Sequence, residues 1–298
     1  MLARLLRLMI LVQVLVGSAL GSLLFRFSSV QLWHMLAGAI LMPLTTMLVA
    51  DVVTTVKSRA DERAALWWRS LFGEFAAGLR IYLLRQPWTI NAPTALPATA
   101  SPARAPVVLV HGYLCNHRIW DDVARALRAR GHTVLAVNLE PLFTSIDNYA
   151  PIVEAAVSAL CRQTGATRVA LVGHSMGGLA IRAWMRVHGT ARVARVLTLG
   201  TPHAGTQILP GTRTPNGRQM CWQSQWLTDL SASETDATRS LIRIALTPQD
   251  NIVYPQRAQI LPGISSMVFE GMGHLQMCLD PSVITWVCEQ VAIPGNDV

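Results

Sequence analysis

The sequence predicts an α/β fold, in which helices flank a mostly parallel sheet, preceded by a membrane-associated helical region. From Val107 onward, short apolar runs alternate with segments of helical periodicity, a pattern typical of βαβ units. The chain of 298 residues is 51% hydrophobic and only 14% charged, whereas soluble domains contain about a quarter charged residues. We therefore divide it into a membrane anchor at residues 1–56, a helix with a linker at 57–105, and an α/β domain at 106–298.

The anchor region contains two apolar stretches, Leu8–Phe25 and Val30–Ala50, each long enough to cross a bilayer. Basic residues lie outside the pair, at Arg4, Arg7, Lys57, Arg59, Arg63 and Arg69. Only Arg26 lies between the stretches, so the charges favour a hairpin that returns to its starting side. This arrangement predicts an inner or plasma membrane protein whose α/β domain lies on the cytoplasmic side if both stretches span the bilayer. Two exported forms stay open: a signal peptide cleaved after Ala19 and a single signal anchor.

Residues 59–85 have the periodicity of an amphipathic helix. Two interpretations stay open: the helix packs on the α/β domain, or it lies at the membrane interface with Trp67, Trp68 and Trp88 at headgroup level. Residues 86–106 contain five prolines and are predicted to be an extended linker.

The composition also limits the partners. The formal net charge is +8, but the basic residues are scattered and form no run with interleaved aromatics, so we expect attraction to anionic lipid and no nucleic acid. The five cysteines form no C-x-x-C pair, so no zinc or redox motif is present and we expect no metal. A bridge between Cys221 and Cys278 stays open if the domain is exported.

The elements of the α/β domain follow from apolar runs and helix stops such as Gly131 and Gly165. The expected strands are Val107–Val110, Thr133–Asn138, Val169–Val172, Val193–Leu199, Leu241–Leu246 and Ser266–Phe269, and the expected helices between them include Ile119–Arg130, Asp147–Gln163 and Gly177–His188. The chemistry should lie where the strands end at their carboxyl side.

A Gly-His-Ser-Met-Gly motif follows the third of these strands and opens a helix, which is the context that a G-x-S-x-G nucleophile requires. The sharp turn holds Ser175 in a strained conformation with its hydroxyl free above the sheet. Side chains at Gly173 or Gly177 would collide with the neighbouring strand and helix. We predict that Ser175 is the nucleophile and that His174, adjacent to it, packs rather than acting as a base.

A His-Gly-Tyr motif at residues 111–113 follows the first strand. In this architecture an N–H of that loop and the N–H of the residue after the nucleophile hold the oxyanion. We assign these donors to Tyr113 and Met176. Gly112 allows the sharp turn, and His111 is expected to orient the loop.

The general base should be a histidine on a loop at the same edge of the sheet. His274 lies between the last expected strand and the last helix, and the order Ser, Asp, His is the expected one; His203 is the main rival. Asp250 follows the strand before it and is the predicted orienting acid. The other acids between Ser175 and His274 that we considered are Asp229, Glu234, Asp236 and Glu270.

Five segments, taken together, carry a resemblance: VVLVHGYLCNHRIW, LVGHSMGGLAIR, LTLGTPHAGT, TPQDNIVYP and GMGHLQM. In this order and spacing they resemble the lipase and esterase branch of the α/β-hydrolases, particularly bacterial triacylglycerol-lipase-like and esterase proteins. The resemblance covers residues 106–291 and implies an α/β-hydrolase fold, ester hydrolysis and no organic cofactor. The chain has little sheet before the HG strand, so we expect a core reduced below eight strands. Nothing in the resemblance accounts for the N-terminal region.

We therefore expect a serine hydrolase that cleaves carboxylic esters of lipid-like acids, with membrane lipid as a further partner. Residues 207–240 are expected either to form a lid, with Trp222, Trp226 and Leu227 lining the acyl pocket, or to pack those residues in the core. Two alternatives stay open. An acyltransferase would use the same triad, whereas a non-catalytic membrane scaffold would have no need of all three residues.

Overall fold

A parallel sheet forms the centre of the domain that follows the N-terminal helices. A computed structural model describes residues 1–100, 104–208 and 211–292. Within them the sheet has six strands in the order β2-β1-β3-β4-β5-β6, and every neighbouring pair is parallel. The strands are β1 Arg104–Val110, β2 His132–Ala136, β3 Val169–His174, β4 Val193–Leu199, β5 Ile242–Leu246 and β6 Ser266–Val268. The predicted parallel sheet is confirmed, with a reduced number of strands in the described residues.

Helices cover both faces of this sheet, as the sequence predicts. The helices are α1 Leu2–Leu24, α2 Gln31–Ser58, α3 Ala64–Gly78, α4 Asp121–Arg128, α5 Ala150–Thr164, α6 Met176–His188, α7 Pro215–Gln219, α8 Gln225–Ala232, α9 Asp236–Ser240 and α10 Pro281–Ala292. α5 and α6 pack on one face, and α4 and α10 pack on the other. In β1, Val108 and Val110 face the first layer while Val107 and Leu109 face the second, and all four are fully buried. Burial on both faces explains why this strand reads as a continuous apolar run.

α1 and α2 form a helical hairpin, and each is long and apolar enough to cross a membrane by length and composition. Their backbones approach so closely that a Cβ on Gly17 would lie 2.1 Å from the carbonyl oxygen of Gly38. Small residues permit this kind of contact between membrane helices. α2 continues past Ala50, where the apolar stretch ends, and reaches Ser58.

Both ends of the hairpin rest on the α/β domain. Leu2 and Leu6, at the start of α1, are buried with Leu142. Near the end of α2, Thr54 Oγ1 accepts a hydrogen bond from Asn251 Nδ2 at 3.0 Å. The end of α2 is therefore bound to the loop that follows β5.

The segment between the hairpin and the sheet combines features of both interpretations of the amphipathic helix. α3 continues into a π-helical turn, Leu79–Arg85, and buries an apolar face that includes Trp67, Leu71 and Ile81. A second apolar face is left exposed, formed by Trp68, Phe72, Leu84 and Trp88. Further along, Leu96 forms an antiparallel bridge with Val134 of β2.

Three of the cysteines, Cys115, Cys278 and Cys288, are buried free thiols. The bridge between Cys221 and Cys278 that the sequence leaves open is therefore not formed. In the described part of the chain, no three His, Cys, Asp or Glu side chains are grouped so that they could hold a metal ion.

Candidate active site

Ser175 occupies the sharp turn between β3 and α6. Its backbone has φ 55° and ψ −129°, which lies in the left-handed half of φ space and is strained for a residue with a side chain. The turn depends on glycine at both ends, because a Cβ on Gly173 would lie 2.5 Å from the Gly178 nitrogen and one on Gly177 would lie 2.1 Å from the Val110 carbonyl oxygen. This geometry is that of a nucleophile elbow.

The predicted oxyanion donors are the backbone N–H groups of Tyr113, which lines the same cavity as Ser175, and of Met176, which directly follows Ser175. Met176 is the first residue of α6, so its N–H has no acceptor within the helix and lies at the positive end of the helix dipole. Among the backbone hydrogen bonds of the described residues, neither N–H is used. The loop that carries Tyr113 touches the nucleophile, since a Cβ on Gly112 would lie 2.7 Å from Ser175 Cβ.

His111 connects this loop to the segment after β2. The N–H of Leu139 donates to His111 Nε2 at 3.0 Å, so the proton is on Nδ1, which donates to the Gly112 carbonyl at 2.8 Å. Burial lowers the pKa of His111 to about 4, which keeps the ring neutral. Both ring nitrogens are engaged, so His111 orients the loop.

Asp250 and His274 form a buried pair at the carboxyl ends of the strands. His274 Nδ1 lies 2.8 Å from Asp250 Oδ2, while Asp250 Oδ1 accepts hydrogen bonds from the N–H groups of Ile252 and Val253. The carboxylate is thereby fixed with one oxygen aimed at the imidazole. Burial by itself lowers the pKa of His274. The charge and hydrogen bond of Asp250 and the charge of Glu74 outweigh the effect of burial, so the pKa of His274 is raised above its usual value.

Ser175 and His274 line one cavity of about 300 Å³. Its wall is mainly apolar and includes Leu114, Pro202, Ile208, Met220, Ile252 and Val253. The hydrogen bonds of the described residues do not include one between the Ser175 hydroxyl and the His274 ring. Contacts of this kind often tighten only when substrate binds.

The other two histidines near the motifs have structural partners. His174 Nε2 donates to the backbone carbonyl of His274 at 3.1 Å, so it supports the loop that carries His274. His203 is buried and uses both ring nitrogens, with Arg182 Nη1 at 3.2 Å and Thr198 Oγ1 at 3.1 Å. Arg182 is in turn paired with Glu234 at 2.6 Å.

The remaining acids lie in other surroundings. Asp229 accepts a hydrogen bond from Gln225, Asp236 pairs with Arg239, and Glu270 pairs with Arg63. In the described part of the chain, neither these acids nor Glu234 lines the cavity. Asp250 is thus the one acid from the sequence-based set beside His274.

Residues 207–240 contain α7, α8 and α9, while residues 209–210 lie outside the described ranges. Ile208 and Met220 reach the cavity wall. Leu227 is buried in the core, and Trp226 packs against it and donates from Nε1 to Asp147. Leu227 and Trp226 therefore follow the second expectation, packing in the core, and none of Trp222, Trp226 and Leu227 lines the cavity of Ser175.

Sequence reasoning missed the contribution of the N-terminal helices to the site. Ala50, Asp51 and Thr54 of α2 and Glu74 of α3 line the same cavity as Ser175. These residues lie outside the segments that carry the resemblance. Nothing in their spacing along the chain points to Ser175, and only the packing of α2 and α3 brings them to it.

Comparison with known proteins gives matches in the α/β domain. Residues 105–216 match the family model of the α/β hydrolase fold. A triacylglycerol lipase of Burkholderia plantarii is 33% identical over 168 residues, which are 53% of this chain and 44% of the relative. A triacylglycerol lipase of Pseudarthrobacter phenanthrenivorans is 36% identical over 119 residues, 37% of either chain. The matched stretch is less than half the length of each relative.

Solved structures are similar over a larger share of the chain. A Bacillus licheniformis lipase in its mature form gives a TM-score of 0.59 at 18% identity and covers 68% of this chain and 100% of its own. Aspergillus fumigatus lipase B gives a TM-score of 0.55 at 16% identity, over 64% of this chain and 53% of its own. At these identities the likeness shows the fold. The chain therefore has the α/β-hydrolase fold. Part of its sequence is similar to triacylglycerol lipases, in line with the resemblance seen in its motifs.

Proposed function

We propose that this chain is a serine hydrolase that cleaves carboxylic esters with the triad Ser175, His274 and Asp250. The observation that carries the proposal is the strained Ser175 in a cavity that it shares with His274, whose ring is paired with the buried Asp250. The similarity to triacylglycerol lipases supports the same reaction class.

The first half of the reaction forms an acyl-enzyme. His274 Nε2 takes the proton of Ser175 as Oγ attacks the carbonyl carbon of the ester. The N–H groups of Tyr113 and Met176 donate to the oxygen that becomes negative, and Asp250 stabilises the imidazolium. When the intermediate collapses, the bond to the alcohol oxygen breaks and His274 gives its proton to that oxygen.

The second half returns the enzyme to its starting state. A water molecule attacks the acyl carbon while His274 takes its proton, and the new tetrahedral intermediate is held by the same two N–H groups. Collapse of this intermediate releases the carboxylic acid and returns the proton to Ser175 Oγ. If another alcohol replaced the water, the same steps would give acyl transfer, which product analysis with added alcohols would detect.

The substrate that fits best is an ester with a lipid-like acyl chain. The cavity wall is mainly apolar, and the last turns of α2 form part of it. The exposed apolar face formed by Trp68, Phe72, Leu84 and Trp88 is suited to a membrane interface, where tryptophan is favoured. We place the enzyme at a membrane, on the cytoplasmic side if both hairpin helices span it.

A fluorophosphonate probe tests the nucleophile directly. The wild-type chain should be labelled, and Ser175→Ala should not, while the exposed Ser240→Ala should be labelled like wild type. Equal labelling of wild type and Ser175→Ala would reject the assignment. A series of p-nitrophenyl esters then tests the substrate class, and a preference for short acyl chains would argue against a lipid-like ester.

A further inference from the structure

Glu74 is a buried carboxylate that ties the N-terminal helices to the loop of the catalytic histidine. It lies on α3, and its side chain is 2% exposed. Its two oxygens accept hydrogen bonds from the N–H of Leu275, at 3.0 and 2.8 Å, and from the N–H of Gln276, at 3.1 Å. These are the two residues that directly follow His274 along the chain.

The loop is shaped to receive this carboxylate. A Cβ on Gly273 would lie 2.5 Å from Glu74 Oε2, so the residue before His274 leaves room for Glu74. The backbone of residues 273–276 therefore wraps around the Glu74 side chain. A shift of Glu74 would move the imidazole, because His274 lies in the middle of the wrapped segment.

The carboxylate also acts on His274 through its charge. Burial raises the pKa of Glu74 to about 7, against the opposing effect of the nearby imidazole. When ionised, Glu74 favours the protonated form of His274. In the described part of the chain, the other titratable groups that interact with Glu74 or His274 are Asp250, His174, Asp51, Tyr82, Cys115 and Cys278.

The surroundings of Glu74 are unusual for a buried acid. A buried charge is costly unless it is paired or hydrogen-bonded, and Glu74 has no Arg or Lys partner among the ion pairs of the described residues. Its carboxylate is stabilised by the N–H groups of Leu275 and Gln276 and by the charge of the His274 imidazole. Its position on the cavity wall beside Ser175 and His274 fits a role in the active site.

Building on the serine hydrolase proposed above, we propose that Glu74 is a positioning residue that holds the His274 loop and stabilises the charged imidazole during catalysis. In this role α3, which lies outside the segments similar to lipases, contributes a residue to the active site. The Glu74 side chain does not contact the reacting atoms in this role. It fixes the backbone on the carboxyl side of His274, as Asp250 fixes the ring.

The test compares Glu74→Gln and Glu74→Asp with wild type in the full chain, using a p-nitrophenyl ester and counting active sites with the fluorophosphonate probe. Glu74→Gln keeps the size but turns one acceptor into a donor that faces the loop N–H groups and removes the charge. We expect kcat per active site to fall about tenfold to a hundredfold with little change in KM, since small displacements of catalytic groups have effects of this size. The acidic limb of kcat/KM should move to lower pH. The exposed Glu289→Gln should match wild type in both measurements.

Glu74→Asp keeps the charge but withdraws it from the loop. Its kcat should also fall, while its acidic limb should stay closer to that of wild type than in Glu74→Gln. An unchanged kcat per site in either variant would overturn the proposal, as would a lower kcat with no movement of the acidic limb in Glu74→Gln. If Glu74→Gln does not fold, the kcat of Glu74→Asp alone decides the outcome. Failure of the hydrolase proposal can be distinguished from failure of the Glu74 proposal, because wild type itself would then show neither labelling nor turnover.

Discussion

Nδ1 of His274 lies 2.8 Å from Oδ2 of Asp250, and both side chains are almost completely buried. Since a carboxylate only accepts, this contact places the proton of the neutral imidazole on Nδ1 and leaves Nε2 free as a base. The second carboxylate oxygen is occupied by two backbone N–H groups, so Asp250 cannot turn away from the ring. The pair therefore fixes both the tautomer and the orientation of His274.

Replacing Asp250 by asparagine should remove this control while preserving the shape of the side chain. An amide at this position can donate to Nδ1 and favour the wrong tautomer, and it cannot stabilise the imidazolium. We expect kcat to fall by about 10³–10⁴, as in other Ser-His-Asp sites, with KM little changed. Steady-state kinetics with a soluble ester measures both, and Asp236→Asn, on the exposed side of α9, is the control. A loss below about tenfold would mean that Asp250 does not orient the base.

The pH dependence should follow the raised pKa of His274. The imidazole must be neutral to accept the serine proton, so activity is lost as the pH falls through this pKa. Because Asp250 and Glu74 raise the pKa against the effect of burial, the acidic limb of kcat/KM should lie above the usual histidine value of about 6.5. A rate profile across neutral pH measures it. A limb at or below the usual value would show that burial, or the neighbouring His174, outweighs the two carboxylates.

The two candidate bases can be separated by substitution. His274→Ala should abolish nearly all ester turnover. His174, the other imidazole that lines the Ser175 cavity, donates from Nε2 to the His274 backbone carbonyl, and burial lowers its pKa well below the usual histidine value, so it is a poor base. His203→Ala should lose stability, since Arg182 and Thr198 lose their shared partner, but should keep its turnover per probe-labelled site. Measuring turnover together with thermal unfolding separates the two effects. Loss of turnover in a folded His203→Ala protein would reverse the assignment.

The elements and motifs of the α/β domain could be predicted because their signals are local. The G-x-S-x-G motif lies within five residues, and its strand and helix adjoin it, so the sharp turn at Ser175 could be predicted from the sequence alone. The proximity of Asp250 and His274 could be predicted from the order of the strands, because the loops that follow parallel strands meet at one edge of the sheet. Element ends were less predictable: α6 begins at Met176, one residue before the expected Gly177, because the serine itself ends the strand region.

The N-terminal contribution could not be predicted, because its partners are remote along the chain. Glu74 contacts residues 275 and 276, and Thr54 contacts Asn251, with no motif at either end. A glutamate in an amphipathic helix normally indicates a solvated face, and only the packing of α3 makes it a buried acceptor. The helical segment at residues 59–85 has one buried and one exposed apolar face. Its periodicity is therefore compatible both with packing on the α/β domain and with a position at the membrane interface.

The contact between α2 and the acid loop should contribute to stability and to rate. Asn251 donates to Thr54 Oγ1 at 3.0 Å and accepts from the N–H of His274 at 3.3 Å, so it links α2 to the loops that carry Asp250 and His274. Thr54→Val removes the acceptor without changing the volume, and we expect a loss of about 1 kcal/mol in stability with a several-fold lower kcat. Thr45→Val is the matched control, because Thr45 bonds only to carbonyls of its own helix. Identical melting temperatures and rates for Thr54→Val and wild type would show that this link is dispensable.

The mature protein should retain its first helix. Cleavage after Ala19 would remove Gly17 from its contact with Gly38 and Leu2 and Leu6 from their buried positions beside Leu142, whereas an uncleaved hairpin keeps all of these contacts. We therefore expect the intact mass of protein purified from membranes to include residues 1–19, and the protein to stay in the membrane pellet after a carbonate wash. Gly17→Leu should lower the melting temperature because its side chain would meet the backbone of α2, while Ala19→Leu, on an exposed position of the same helix, should not. A soluble protein whose mass begins after Ala19 would instead establish the signal peptide.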